Sequence, residues 1–247
     1  MLNCDYKIAA SVLAFRFAAP LSTVIDSPQT AFLPGRWIGD NVLSHLEEID
    51  YLMAAHEPGV IVFLDLAKAF DRIDRAWLLR ALGALGMPAG ALRWVQVMHG
   101  GTRATVAYNG WVTAPFPVDS GVFQGSPLSP LLYVAASQPL AAYTRLLAGR
   151  GAFTAISLPS GLPAPILHQH ADDTTIHVRS RADASRVIQG PVSLFCQASG
   201  SLIQPAKSQG IELGALDGGV PFSGRCPLTG VLFVEGDTAI RHLGVLL

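Results

Sequence analysis

The chain has 247 residues, of which 50% are hydrophobic and 14% charged, with a mean hydropathy of +0.38. That excludes a disordered chain and leaves room for one large domain or two small ones with a sizeable core. The net charge of −1 does not announce a nucleic-acid binder, although 14 of the 17 cationic residues are Arg, the residue better suited to bidentate phosphate contacts.

Residues 7–17, KIAASVLAFRF, predict a helix with Ile8, Val12 and Phe15 on one face. Residues 28–36, PQTAFLPGR, are a loop punctuated by Pro and Gly. A second helix is predicted over 39–55, with Val42, Leu46, Ile49 and Met53 at helical spacing, stopped by Pro58 and Gly59. VIVFLDL (60–66) is a continuous apolar run of the kind a buried central strand shows. DRAWLLRALGALG reads as a helix with Asp74 at its N-cap and Gly86-Met87-Pro88 at its end. Asn109-Gly110 between alternating residues signals a hairpin, and PLSPLLYVAASQPLAAYTRLL a helix opened by prolines. ILHQHADDTTIHV (166–178) is a second hairpin with Asp172 and Asp173 at its turn. A helix over 183–198, a Gly-rich stretch over 210–224 and short strand-like runs complete the chain. The order predicts one α+β domain with an antiparallel central sheet packed on helices.

The longest unbroken apolar runs, such as Val60–Leu64 and Leu131–Ala136, fall short of the ~20 residues a membrane span needs. Arg16 interrupts the apolar stretch after Lys7, and the small-residue cleavage pattern of a secretory signal is weak. Cys4, Cys196 and Cys226 are odd in number, far apart and without metal-ligand spacing, which reads as free thiols in a reducing compartment. The expectation is an intracellular protein, cytoplasmic or nuclear, with no membrane partner.

Three segments carry chemistry. Adjacent aspartates at a hairpin end arise readily because Asp side chains bond nearby backbone. Their sharper meaning is a hard-cation site, where a bound Mg²⁺ relieves the repulsion and keeps both carboxylates ionised. A third carboxylate is available in Asp65, at the end of the apolar run, where an ionised group is costly unless paired or metal-bound. A salt bridge to Lys68 or an arginine is the alternative for Asp65. The third segment, SGVFQGSPLSPLLY (120–133), places Gly125 between Gln124 and Ser126, which permits a close backbone approach before a helix start. His168, His170 and His177 share a strand parity only in part, so a zinc site made of them is the lesser reading.

Taken in order, FLDLAKAFD, GVFQGSPLSP and HADD resemble the motifs of the reverse transcriptase domain, of the kind encoded by non-LTR (LINE-type) retrotransposons. MLNCDYK with its helix, QTAFLPGR with the later DNV, ASGSLIQPAKS (198–208) and the closing RHLGVLL resemble further segments of that family, so the likeness spans nearly the whole chain. It implies a right-hand polymerase fold, with fingers over about 1–60 and palm over about 60–247. It implies an RNA-directed DNA polymerase that uses an RNA template, a DNA primer, dNTPs and two Mg²⁺ ions, or Mn²⁺ in their place. By position, Asp65, Asp172 and Asp173 match the metal-binding carboxylates. Phe70 matches the aromatic residue under the incoming sugar, where a 2′-hydroxyl would clash. Gln124 and Gly125 match the residues behind the nucleotide and template base, Arg36 the contact to the triphosphate, and Lys207 the palm lysine that protonates the departing pyrophosphate. Asp71 is read as structural, and Lys68 and Arg72 as solvated or backbone-directed.

The likeness has departures. His170 stands where the family has an aromatic or apolar residue, and Ser120-Gly121-Val122-Phe123 stands where it often has Arg-Gly-Val-Arg. No thumb, endonuclease or Cys/His-rich tail is visible. Since affinity for nucleic acid comes largely from phosphate contacts, the expectation is weak polymerisation, with a truncated, catalytically silent remnant retaining residual nucleic-acid binding as the alternative.

Overall fold

Residues 59–64, GVIVFL, form a strand because every side chain in the run is apolar or absent and all six residues are buried. A computed structural model describes residues 2–214, 221–235 and 240–246 of the protein. In chain order the elements are helices α1 (Cys4–Val24) and α2 (Ile38–Ala55), strand β1 (Gly59–Leu64), and helices α3 (Ala69–Arg72), α4 (Arg75–Ala84) and α5 (Ala89–His99). Short strands β2 (Arg103–Ala104), β3 (Ala107–Tyr108), β4 (Trp111–Val112) and β5 (Phe116–Pro117) precede helix α6 (Ser129–Gly149). Then come β6 (Leu167–His170), β7 (Asp173–Val178), α7 (Arg181–Val187), α8 (Ser193–Ser199), β8 (Gln209–Leu213), β9 (Gly224–Arg225), β10 (Leu232–Val234), β11 (Arg241–His242) and β12 (Val245–Leu246).

The central sheet has six strands in the order β6-β7-β1-β8-β10-β9. It is mixed. β1 pairs antiparallel with both β7 and β8, but β10 runs parallel to β8. The antiparallel sheet predicted from the element order is corrected at that one pairing. On one face Val60, Val62 and Leu64 pack with Ile176 and Val178 against Leu140, Ala184, Val187 and Phe195 of helices α6 to α8. On the other, Ile61, Phe63, Ile211 and Leu213 pack with Leu52 of α2. A further apolar cluster joins α1, α4 and α5 to the buried half of α6, from Leu131 to Ala136.

Two helices turn a different face inward from the one their hydrophobic spacing predicts. In α1 the inward residues are Ala10, Leu13 and Leu21, whereas Ile8 and Phe15 are 65% and 87% exposed. In α2 the buried residues are Asn41, His45, Glu48 and Leu52, and Met53 faces out. The predicted helix over 183–198 is interrupted by a π turn, Ile188–Val192. Pro191 lacks the N–H that would continue the α-helical ladder, and Gly190 precedes it. By length and composition α1 could cross a membrane, a possibility that a search for unbroken apolar runs passes over because Arg16 lies inside it. The three cysteines are free. Residues 215–220 of the Gly-rich stretch and Leu247 lie outside the described residues.

Local signals behave as their chemistry requires. Asp74 caps α4, its Oδ1 accepting from the Trp77 N–H at 2.6 Å. Asn109 and Gly110 both have positive φ, 46° and 84°, between the paired strands β3 and β4.

Candidate active site

The register of the sheet brings the three aspartates to one edge. Phe63 lies opposite Thr175 and Leu64 opposite Thr174, so the next step places Asp65 beside Asp173 as β1 leaves the sheet and β7 begins. Asp172 is in the two-residue turn between β6 and β7, and the turn's other residue, Ala171, adopts φ 56°. Burial raises the Asp172 carboxyl above the ordinary aspartate range, and the nearby Asp65 charge adds to the effect. Asp173 is shifted the same way, first by the protein that displaces solvent from it, then by Asp172 and Asp65. Among the described residues neither Asp65, Asp172 nor Asp173 is in an ion pair, so the Lys68 alternative for Asp65 is not what the structure adopts. Three mutually repelling carboxylates with no cationic side chain paired to them and only oxygen donors fit a hard divalent cation.

The backbone around these groups is tied from several directions. The Asp65 N–H donates to Ser208 Oγ at 3.1 Å, and the Ser208 hydroxyl donates to the Gln204 carbonyl at 2.9 Å. The Gln204 N–H donates to the Asp65 carbonyl at 2.8 Å, and the Ala67 N–H to the Leu202 carbonyl at the same distance. The turn that carries Lys207 is thereby stitched to the chain at Asp65, with Lys207 itself exposed. On the hairpin side, Gln29 Oε1 accepts from the Ala171 N–H at 3.0 Å and from the Ala31 N–H at 3.0 Å. Asn41 Nδ2 donates to the Gln169 carbonyl at 2.7 Å. Gln29, Asn41 and Ser208 were not singled out from the sequence. Each lies in a segment that carries the family likeness, but as uncharged polar residues acting on backbone groups as many as 143 positions away they show no role in the sequence itself.

Phe70 stacks on Tyr133, ring centroids 4.4 Å apart and planes 21° from parallel, with Tyr133 fully buried. Gln124 Nε2 donates to Asp71 Oδ1 at 3.0 Å, which joins the segment after β1 to the loop before α6. The same segment needs glycine at Gly121. Its φ is +78°, and an added Cβ would fall 2.5 Å from the Asp71 carbonyl oxygen. Gly125 also has positive φ, +79°, but an added Cβ there would meet nothing within 4 Å, so the space above it is open. Phe123 lies face to face with His99 at 5.0 Å, and the Arg75 guanidinium stands 5.4 Å above its ring.

Arg36 does something the sequence did not suggest. Its guanidinium donates to the carbonyls of Ser22, Ile25, Asp26 and Gln29 at 3.0, 2.7, 2.5 and 2.6 Å. It ties the end of α1 to the loop that carries Gln29, and both terminal nitrogens are occupied in doing so. Arg72 Nε donates to the Gly200 carbonyl, backbone-directed as read. At His170 the polar ring is answered by Thr30, whose Oγ1 lies 3.0 Å from Nδ1. His170 lies on the same face of the sheet as His168 and His177, the face that α2 covers, but its ring is engaged by Thr30. His168 and His177 meet Glu48, and the three ligand atoms lie within 4.8 Å of one another. Cavities of about 750 and 780 Å³ open beside Arg181 and beside Thr144, and neither is lined by an aspartate of the trio.

The chain is 30% identical over 216 residues to the Transposon TX1 uncharacterized 149 kDa protein of Xenopus laevis, covering 87% of this chain and 16% of that protein. It is 32% identical over 129 residues to the Retrovirus-related Pol polyprotein from type-2 retrotransposable element R2DM of Drosophila melanogaster, covering 50% of this chain and 12% of that one. The chain therefore spans less than a fifth of the length of these relatives. Among solved structures, apo telomerase from Candida tropicalis truncated from its C-terminal domain superposes with a TM-score of 0.61 at 13% identity, covering 84% of this chain and 41% of that one. Telomerase from the same organism in complex with a fragment of telomeric RNA gives 0.58 at 13% identity, covering 93% and 37%. These likenesses carry the fold, the fingers and palm of a polymerase. Residues 1–247 match the family described as reverse transcriptase (RNA-dependent DNA polymerase), a family that generally uses divalent metal ions, and the chain belongs to it.

Proposed function

We propose that this chain is the catalytic domain of an RNA-directed DNA polymerase that extends a DNA primer on an RNA template with dNTPs. The observation that carries the reading is the meeting of Asp65 with the Asp172–Asp173 turn across the β1–β7 register, in mutual electrostatic reach and without a paired cationic side chain. Asp65, Asp172 and Asp173 would hold two Mg²⁺ ions, or Mn²⁺. When bound, such a pair activates the primer 3′-hydroxyl and neutralises charge on the leaving pyrophosphate. Phe70, backed by Tyr133, lies under the sugar and favours deoxynucleotides. The open surface above Gly125 accepts the nucleotide, with Gln124 anchored beside it on Asp71. Lys207, exposed on the turn tied to Asp65, donates the proton to pyrophosphate. The Candida tropicalis telomerase solved with RNA supports an RNA template for this fold.

Arg36 favours a second reading, a silent remnant, because both of its terminal nitrogens are held by carbonyls rather than free to meet a triphosphate. One experiment separates the two: extension of an oligo(dT) primer on poly(rA) with Mg²⁺, comparing the natural chain with Asp172→Ala. The polymerase reading expects incorporation by the natural chain and background in the variant. Incorporation that survives in Asp172→Ala refutes it, and so does a natural chain that binds Mg²⁺ and dNTP but extends nothing.

A further inference from the structure

Beneath the aspartate hairpin, on the α2 side of the sheet, lies a second group of ligand-type side chains that the polymerase reading does not use. Glu48 of α2, His168 of β6 and His177 of β7 are all buried, with 5% or less of each side chain exposed. Glu48 Oε2 lies 2.6 Å from His177 Nδ1, and Glu48 Oε1 lies 3.3 Å from His168 Nε2. His45, one helical turn before Glu48, is 1% exposed, with its ring centroid 4.8 Å from that of His177 and 5.1 Å from that of His168.

Hydrogen bonding accounts for only part of this cluster. His177 is satisfied at both nitrogens, by Glu48 and by Thr175 Oγ1 at 3.1 Å. His168 Nε2 is not, because its 3.3 Å approach to Glu48 lacks hydrogen-bond geometry, and His45 has no partner at either ring nitrogen. Three buried imidazole nitrogens without partners are costly in a protein interior. Two donor atoms 3.3 Å apart with no hydrogen bond between them resemble the edge of a metal coordination shell. A tetrahedral zinc with bonds of about 2.0–2.1 Å sets neighbouring donors about 3.3 Å apart. Glu48 Oε2 and His177 Nδ1, 2.6 Å apart as a hydrogen-bonded pair, would open to that separation on ligation.

We propose that Glu48, His168 and His177, with His45 as fourth donor, bind a zinc-class divalent transition-metal ion that braces α2 against the β6–β7 hairpin. Thr175 Oγ1 then accepts from His177 Nε2–H and fixes the tautomer that presents Nδ1 to the metal. Burial favours the neutral form of His177 and His45, the form that ligation requires. Imidazole donors select zinc over Mg²⁺, which prefers oxygen and retained water. Glu48, His45, His168 and His177 are all buried, which suits a structural ion, and the proposal does not depend on the polymerase reading.

The test is metal content of the full 247-residue chain, purified and dialysed against a weak chelator, together with Co²⁺ substitution and thermal denaturation. The proposal expects about one zinc per chain, a tetrahedral Co²⁺ spectrum, and a Tm that rises about 5–10 °C at a hundredfold excess of zinc over its Kd. Glu48→Gln and His168→Gln should lose the ion, and Asp172→Ala, across the hairpin, should keep it. A natural chain that takes up no zinc and shows no Tm shift overturns the proposal. So does retention in His168→Gln, or loss in Asp172→Ala, which would move the ion to the aspartates. If the His168 variant does not fold, the Co²⁺ spectrum of the natural chain decides, and an octahedral all-oxygen spectrum refutes the site.

Discussion

Replacing Arg36 by alanine tests whether this residue serves the nucleotide or the scaffold. Its guanidinium donates four hydrogen bonds, all of 3.0 Å or less, to the carbonyls of Ser22, Ile25, Asp26 and Gln29. Hydrogen bonds to charged groups are worth about 1.5–3 kcal/mol each. The four share one side chain and are partly solvated, so they do not add, and about 3 kcal/mol is the reasonable net loss. A positive charge at the C-terminal end of α1 is also lost, worth about 0.3–1 kcal/mol. The two losses come to about 3.3–4 kcal/mol, and for a chain of this size each kcal/mol moves Tm by about 2–4 °C, so Arg36→Ala should melt about 7–16 °C below the natural chain. Arg36→Lys keeps the charge but not the fork, and should recover only part of the difference. Thermal denaturation and steady-state dNTP kinetics are measured on the same preparations. A Tm shift under about 2 °C, with a raised KM for dNTP, would refute the scaffold argument and return Arg36 to the triphosphate.

Other perturbations discriminate among the remaining residues. Gly121→Ala drives a Cβ to 2.5 Å from the Asp71 carbonyl in a left-handed conformation and should cost about 3 kcal/mol or more, whereas Gly125→Ala meets nothing and should cost about 1 kcal/mol. Urea unfolding ranks the two, and equal losses would contradict the packing argument. If Gly125→Ala also removes primer extension while remaining folded, the open surface above it is where nucleotide binds. Phe70→Val should raise ribonucleotide incorporation relative to deoxynucleotide by about tenfold or more if the ring excludes a 2′-hydroxyl. Unchanged discrimination with lowered stability would leave Phe70 as the packing partner of Tyr133 alone. Because the folded-state values of Asp172 and Asp173 are raised above the ordinary aspartate value, the metal-free fold binds protons more tightly than the unfolded chain, and its stability falls as pH rises through that window. Asp172→Asn should therefore stabilise the metal-free chain more at pH 7 than at about pH 4. Added Mg²⁺ should raise the Tm of the natural chain but not of the variant. A pH-independent effect would refute the electrostatic account.

What the sequence made legible depended on contrast. A run such as VIVFL has no competing interpretation, and an aspartate at its end stands out because charge is rare in this chain. Capping by Asp74 and the Asn109-Gly110 turn are local chemistry, complete within three or four residues. The inward face of α2 was illegible for the opposite reason. Hydrophobic spacing assumes an apolar surface on the other side, and here that surface carries His168, His177 and Thr175, so α2 turns Asn41, His45 and Glu48 inward and leaves Met53 in solvent. In α1 the small residue Ala10 and Leu13 pack inward, while the larger Ile8 and Phe15 that define the apparent stripe do not. The parallel pairing of β10 with β8 was hidden because strands of three to five residues in a Gly-rich region carry too little alternation to fix direction.

In the proposed polymerase the aspartates supply the chemistry, but their placement comes from residues with no charge at all. Ala171 is held at positive φ beside Asp172 while Gln29 accepts from its N–H, and Asn41 clamps the strand two residues earlier. Gln29 belongs to the loop that Arg36 fastens to the end of α1. Loosening Arg36 therefore frees the loop, then the Gln29 clamp, then the turn that aims Asp172 at Asp65. Substitutions at Arg36 can reduce catalysis without the guanidinium touching a nucleotide, and a family likeness that assigns it to the triphosphate would register the same loss of activity. Only stability measured beside kinetics separates the two, because the scaffold route lowers Tm in proportion to activity and the contact route does not.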